Sequence, residues 1–227
     1  MESGRVIQWR QCVAANEIKD GEFVKDHRFL FPFSPQIYQS TFTSSDLNVL
    51  QELAENSRNS IRWGNSLSGN IQEQRVVESM NQEVLSILAP HIQEYIKFES
   101  EEENLNYNNL NFAISSFWFN YMRKNEFNPL HAHSGFISGV LMIKVPEEIS
   151  QEPINIPVES NARCPGMLEW VFGSRFYRKY PVEGEIYLFP ADLKHQVYPY
   201  ASDVERITAS FNTVSYTHLT LPTICSV

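Results

Sequence analysis

The stretch Asn128-Pro129-Leu130-His131-Ala132-His133-Ser134-Gly135 places two imidazoles two residues apart. An aromatic run, Phe117-Trp118-Phe119-Asn120-Tyr121, precedes it, and an apolar run from Phe136 to Val145 follows. Both runs read as strand, and alternation along a strand puts residues i and i+2 on one face. His131 and His133 can therefore hold two positions of a metal ion. Taken alone, the pair also fits two solvated loop histidines after a proline. A third imidazole, His195, opens a strand-like segment after Phe189-Pro190. A jelly roll brings such distant strands together, and three histidines could then converge, each at about 2 Å from an ion.

Arg206 follows across the turn-like segment Pro199-Tyr200-Ala201-Ser202-Asp203. An antiparallel return would bring it back beside His195. On that strand Arg206, Thr208, Ser210 and Asn212 share one face, and Ile207, Ala209 and Phe211 share the other. A guanidinium can fork onto a carboxylate, and a hydroxyl two residues on can add a further bond. A solvated hairpin arginine is the plainer reading of the same strand.

The elements that would position these groups fall into two textures. Residues 1–28 are polar and weakly periodic, an irregular lead-in. Residues 29–33 and 37–42 are extended, with prolines confining them to an edge or a strand start. Ser44 and Ser45 offer N-caps to a helix from about Asp46 to Ser57, with Leu47, Leu50 and Leu53 on one face. Residues 63–70 form a turn-rich loop. A second helix is expected from about Glu73 to Phe98, with Val76, Val77, Met80, Val84, Leu85, Ile87 and Leu88 as its stripe and Pro90 breaking or kinking it. From Leu110 onward, six strand candidates (112–121, 137–145, 166–172, 184–189, 195–198 and 206–214) are punctuated by Pro and Gly. Many short strands with such turns in one run predict a mainly β fold, an all-β sandwich or barrel, with the N-terminal helices packed outside it. The expected organisation is a single domain. In it, residues 1–109 pack on a core of 110–213. The last stretch, 214–227, resembles translated sequencing-adapter read-through and is set aside as non-native, His218 and Cys225 included.

The 227 residues are 42% apolar and 13% aromatic, enough for a substantial core. The net charge of −9 argues against direct nucleic-acid binding, which needs a basic footprint. Part of that charge is the run of Glu99, Glu101, Glu102 and Glu103, read as a solvated loop. Cys12, Cys164 and Cys225 are widely spaced, which fits a reducing interior. No stretch approaches the roughly 18 apolar residues of a membrane span, and no signal-peptide pattern is present. A soluble protein in the cytoplasm of a bacterial or phage-infected cell is expected.

In order and at these spacings, His131-x-His133, the distal His195 and Arg206-x-Thr208 resemble the signature of the Fe(II)- and 2-oxoglutarate-dependent dioxygenases. More closely, the chain resembles a branch of oxygenases found in tailed phages and marine bacteria. The residues that carry this are Asn128-Pro129-Leu130-His131-Ala132-His133, Ser138-Gly139-Val140, Phe189-Pro190 ahead of His195 and Val197, and Arg206-Ile207-Thr208-Ala209-Ser210-Phe211-Asn212. The resemblance implies a double-stranded β-helix, or jelly roll, with Fe(II) near one end of the barrel, 2-oxoglutarate as cosubstrate and O2 as oxidant. Arg206 would hold the far carboxylate with help from Thr208, and Asn120, Tyr121 and Asn128 would line the cosubstrate pocket. It also implies hydroxylation of an unidentified substrate with release of succinate and CO2.

One departure stands out: His133 occupies the place where the family carries Asp or Glu. Three neutral imidazoles leave a bound ion its full charge, and such a set also suits Zn(II), Ni(II) or Cu(II). Asp192, three positions before His195, would point to the other face and is read as a turn residue. Two other readings share the fold. One is a cupin-like three-histidine enzyme that uses no 2-oxoglutarate, which leaves Arg206 with nothing to hold. The other is a non-catalytic jelly-roll binding or assembly module.

Overall fold

The computed structural model describes residues 12–13, 27–30, 32, 35–63, 67–103, 111–155 and 164–216. In chain order its elements are β1 (Cys12–Val13), β2 (Arg28–Leu30), β3 (Ile37–Thr41), α1 (Ser44–Asn56), a 3-10 turn (Ser57–Asn59), β4 (Gln74–Val76) and α2 (Gln82–Glu103). Then follow β5 (Asn111–Met122), β6 (Asn128–His131), β7 (Ile137–Lys144), α3 (Glu147–Asn155), β8 (Leu168–Phe172), β9 (Arg175–Lys179), β10 (Glu185–Pro190), β11 (Lys194–Val197) and β12 (Arg206–Tyr216). Eight strands form a major sheet in the order β1-β5-β12-β7-β10-β3-β2, with β4 on β5. Four form a minor sheet in the order β6-β11-β8-β9. The chain is mainly β, and its antiparallel sheets make the double-stranded β-helix that the resemblance implies.

The period-two pattern of the long strands decides which layer each side chain joins. Phe117, Phe119 and Tyr121 of β5, Leu141 and Ile143 of β7, and Ile207, Ala209 and Phe211 of β12 all face the helices. There they meet Leu50 and Ala54 of α1 and Val84, Leu88 and Ile92 of α2 in one core. The opposite face of the major sheet contributes Met142, Tyr187 and Phe189 to a second core, closed by Leu168 and Trp170 of β8. The candidate site lies on that second face.

The helices differ from their expected bounds. Thr43, not Ser44 or Ser45, is the N-cap of α1, its hydroxyl accepting the Asp46 N–H at 3.1 Å. The second helix starts at Gln82 rather than near Glu73, because Gln74, Arg75 and Val76 pair with Asn120, Phe119 and Trp118 as β4. Val76 and Val77 fit a helical stripe in sequence, but strand pairing claims them first. The helix also runs through Pro90 and on to Glu103, so the acidic run lies in helix rather than loop. An interior proline costs about 3 kcal/mol. Burial of Leu85, Leu88, Ile92, Tyr95 and Ile96 outweighs that cost.

Helices do not simply precede strands. β3 lies inside the major sheet between β10 and β2, and α3 falls between β7 and β8. The short strands β6 and β9 and the helix α3 carried no periodic signal strong enough to be read. Of the lead-in, most of residues 1–28 lies outside the described residues, as do 64–66 in the expected loop. Of the tail, Val214, Ser215 and Tyr216 continue β12 opposite Ala113, Phe112 and Asn111, and 217–227 lie outside the described residues. Among the described residues, no helix is long and apolar enough to cross a membrane.

Gly139 of β7 explains itself physically. A Cβ there would lie 2.2 Å from the Phe211 ring, which stacks in turn on Phe117. Because this core is closed by several layers, the rings have little freedom to retreat. Gly139→Ala is expected to destabilise the fold by about 1–3 kcal/mol through overpacking. Urea unfolding checks this, and an unchanged midpoint would show that Phe211 repacks freely.

Candidate metal centre

The three histidines meet. His131 ends β6, His133 lies two residues on, and His195 sits in β11 directly opposite His131 in the ladder. Their ring centroids are 4.9 Å apart for His131–His133, 4.4 Å for His131–His195 and 5.1 Å for His133–His195. One nitrogen from each lies within 4.8 Å of the others, a spacing that could hold one ion. The backbone fixes two of the rings. Nδ1 of His131 is 2.7 Å from the Pro129 carbonyl, and Nδ1 of His195 is 2.8 Å from that of Leu193. A carbonyl only accepts, so each Nδ1 carries the proton. In the neutral ring Nε2 is then left with its lone pair, the form a metal needs. His133 is held by its own N–H, which donates to the Ala191 carbonyl at 2.8 Å. Its ring lies edge-on to Trp118.

The electrostatics agree with the tautomers. Burial, and then the neighbouring His131, pushes His133 down to about 4. Burial and His131 push His195 down to about 3, against the raising effect of the Leu193 carbonyl. Both rings are thus neutral at ordinary pH, the form in which an imidazole can bind a metal. Asp192 is exposed in the turn before β11 and is not in the cluster; its place in the turn, not strand parity, keeps it out.

Arg206 lies deeper in the same cavity. It pairs with Met122 of β5 in the major sheet and does not return as a hairpin on β11. It nevertheless lines one cavity with the three histidines, because the two sheets face each other there. It is 2% exposed. Nη1 donates to the Gly166 carbonyl at 2.5 Å, and Nη2 lies 2.9 Å from Met122 Sδ. Among the described residues Nε has no hydrogen-bond partner and the guanidinium has no ion pair. Burial without a counter-charge lowers its pKa to about 10. Trp170, which lines the same cavity, also has an unpartnered Nε1–H. Buried donors without acceptors are costly, and an anion bound beside Arg206 would offset the cost of its buried charge.

Thr208, Asn120 and Asn128 line this cavity too. Tyr121 does not. It follows Asn120 by one residue, so it faces the helices, where its hydroxyl donates to the Ala54 carbonyl. Naming both neighbours as pocket residues ignored the alternation that separates them. Sequence reasoning missed Trp118, Met122, Trp170 and Gln196 on the cavity wall. The parity of β5 could have supplied the first two, since they flank Asn120 at two-residue steps.

This geometry sets three imidazoles that could hold one ion in the same cavity as a buried guanidinium without a counter-charge. Residues 116–212 match the model of a family described as "Putative 2OG-Fe(II) oxygenase". The matched span runs from β5 through most of β12 and contains all three histidines and Arg206. No curated protein matches the chain. Solved structures of this fold do. A 2OG-Fe(II) oxygenase family oxidoreductase from Burkholderia pseudomallei is 13% identical with a TM-score of 0.51, over 78% of this chain and 84% of its own. A prolyl hydroxylase from Trichoplax adhaerens, in complex with a peptide fragment of the hypoxia inducible factor oxygen degradation domain, is 14% identical with a TM-score of 0.50, over 77% and 81%. HygX from Streptomyces hygroscopicus, with nickel, 2-oxoglutarate and hygromycin B bound, is 10% identical with a TM-score of 0.52, over 78% and 82%. At these identities the likeness is one of fold.

Proposed function

We propose that this protein is an Fe(II)- and 2-oxoglutarate-dependent oxygenase that hydroxylates a C–H bond of its substrate, of the branch found in tailed phages and marine bacteria and acting in the cytoplasm. The observation that carries the reading is Arg206: a buried guanidinium with an unpartnered Nε in the same cavity as three converging imidazoles. A metal-only site would have no use for it.

The residues fit both groups. His131, His133 and His195 would hold Fe(II) through three neutral nitrogens, with His133 in place of the usual carboxylate. Arg206 would bind the far carboxylate of 2-oxoglutarate, and the Thr208 hydroxyl would donate to it. Bound together, iron, 2-oxoglutarate and O2 supply the overall conversion of a C–H to a C–OH, with release of succinate and CO2. The chain does the rest. Val140, Met142, Trp170 and Phe189 form an apolar wall that excludes water from the ion's neighbourhood. The backbone carbonyls of Pro129 and Leu193 keep two imidazoles in the ligating tautomer.

The test is succinate release from 2-oxoglutarate by purified protein with added Fe(II) in air, run beside metal-free protein. Fe(II)-dependent succinate is expected even without the main substrate, as slow uncoupled turnover. A protein that binds metal but neither binds nor consumes 2-oxoglutarate would instead be the three-histidine enzyme without this cosubstrate. One that binds no metal would be a binding module.

A further inference from the structure

The buried guanidinium of Arg206 is held by neutral groups, the Gly166 carbonyl on Nη1 and Met122 Sδ on Nη2. Both of these partners lead back to one residue. Tyr200, in the loop before β12, is buried but is not among the residues that line the cavity. Its hydroxyl accepts the Arg206 N–H at 3.2 Å and donates to the Met122 carbonyl. The Val204 carbonyl lies 3.1 Å from the same oxygen. The ring centroid is 6.0 Å from Arg206 Cζ, at the outer limit of an aromatic face's attraction for a cation. The Gly166 N–H donates at 3.1 Å to the carbonyl of Pro199, the residue before Tyr200. Gly166 closes the group: its φ is +64°, and a Cβ there would lie 2.6 Å from Ile149 Cγ2, 3.4 Å from Arg206 Nη1 and 3.6 Å from Tyr200 Cδ1.

Tyr200 is itself clamped from two sides. Its carbonyl accepts the Asn125 N–H, from the turn between β5 and β6, at 2.8 Å. The next two residues, Ala201 and Ser202, donate their N–H groups to Oε1 of the buried Glu152 of α3, at 2.8 and 2.5 Å. The loop is therefore a bracket fixed at both ends, with one aromatic residue at its centre. The hydroxyl of that residue ties Arg206 to Met122, its ladder partner at the start of β12.

We propose that Tyr200 is a positioning residue for Arg206, keeping the guanidinium placed in the cavity before any anion arrives. This deepens the proposed function and rests on it. A long side chain loses rotamer freedom when a ligand fixes it, and a side chain already fixed makes that loss smaller. Tyr200 would act only through Arg206, so it should matter for a ligand that carries the far carboxylate and not for one that lacks it.

The test compares 2-oxoglutarate with 2-oxovalerate, which has the same chelating end but a methyl group in place of the far carboxylate. Both are titrated anaerobically into Fe(II)-loaded protein and followed by the charge-transfer absorbance. The parent is set beside Tyr200→Phe, which keeps the ring and loses the hydroxyl. The variant is expected to bind 2-oxoglutarate roughly fivefold more weakly, and 2-oxovalerate and Fe(II) as the parent does. The preference between the two acids then shrinks by the same factor, which general loosening of the fold would not produce. Glu152→Ala, which frees the loop and leaves Tyr200 in place, should shrink the preference in the same direction and decides the matter if Tyr200→Phe folds poorly. Unchanged 2-oxoglutarate affinity, or an equal loss for both acids, would overturn the inference alone. A parent protein that does not bind 2-oxoglutarate would bring down the proposed function and this inference with it.

Discussion

Arg206→Ala is expected to weaken 2-oxoglutarate binding by about 2–5 kcal/mol while leaving Fe(II) affinity nearly unchanged. The guanidinium is buried in the cavity, and its Nε has no partner among the described residues. A dicarboxylate chelated at the ion must place its far carboxylate against a cation, since a buried unpaired anion is costly. Truncating Arg206 leaves that carboxylate bare. The measurement is an anaerobic titration of 2-oxoglutarate into Fe(II)-loaded protein, followed by the metal-to-ligand charge-transfer absorbance. A second readout separates ligand binding from structural support. Without ligand, Arg206 is an uncompensated buried charge, so Arg206→Leu should be as stable as the parent protein or more so. With saturating 2-oxoglutarate the parent should gain about 2.7 kcal/mol at a hundredfold excess over Kd, and the variant should not. Unchanged affinity in Arg206→Ala would remove that residue from the site.

His195→Ala should act on the metal itself. Groups that hydrogen-bond to a metal's ligands are worth about 10–100-fold in affinity, so loss of one of three ligands should exceed about 100-fold. The variant's deficit in 2-oxoglutarate binding should then disappear when affinity is measured at saturating metal. His133→Asp should behave differently. It restores the carboxylate of the common two-histidine set, and Fe(II) binding should survive it. Competition against a chromophoric chelator under anaerobic conditions measures all three proteins. If His195→Ala binds Fe(II) as the parent does, the three rings are not a ligand set.

Much of this site is legible in the residues alone. The parity of Arg206 and Thr208 is a local property of β12, whereas His133 lies past the end of β6 and strand alternation does not set it, yet the structure brings all four side chains to one cavity. Which strands lie beside which is not local. Arg206 was expected on a hairpin with His195, yet β12 inserts between β5 and β7 in the other sheet. That residues 74–76 form a strand could not be read, because Val76 and Val77 satisfy a helical period as well as a strand. Only the ladder to Asn120 shows which one applies. The Tyr121 error had a remedy in the sequence, since Asn120 and its immediate neighbour cannot face the same way.

The facing of His131 and His195 across β6 and β11 bears on how the site would exchange its ion. β6 is an edge strand of four residues with a single neighbour, and its register with β11 slips between His195 and Val197. An ion gripped from both strands would act as a clasp on the weakest seam of the minor sheet. Its escape would then be timed by how often that seam unzips rather than by bond strength at the ion. Amide exchange at Leu130 and His131 should therefore quicken when the metal is stripped, in step with the metal's own release rate.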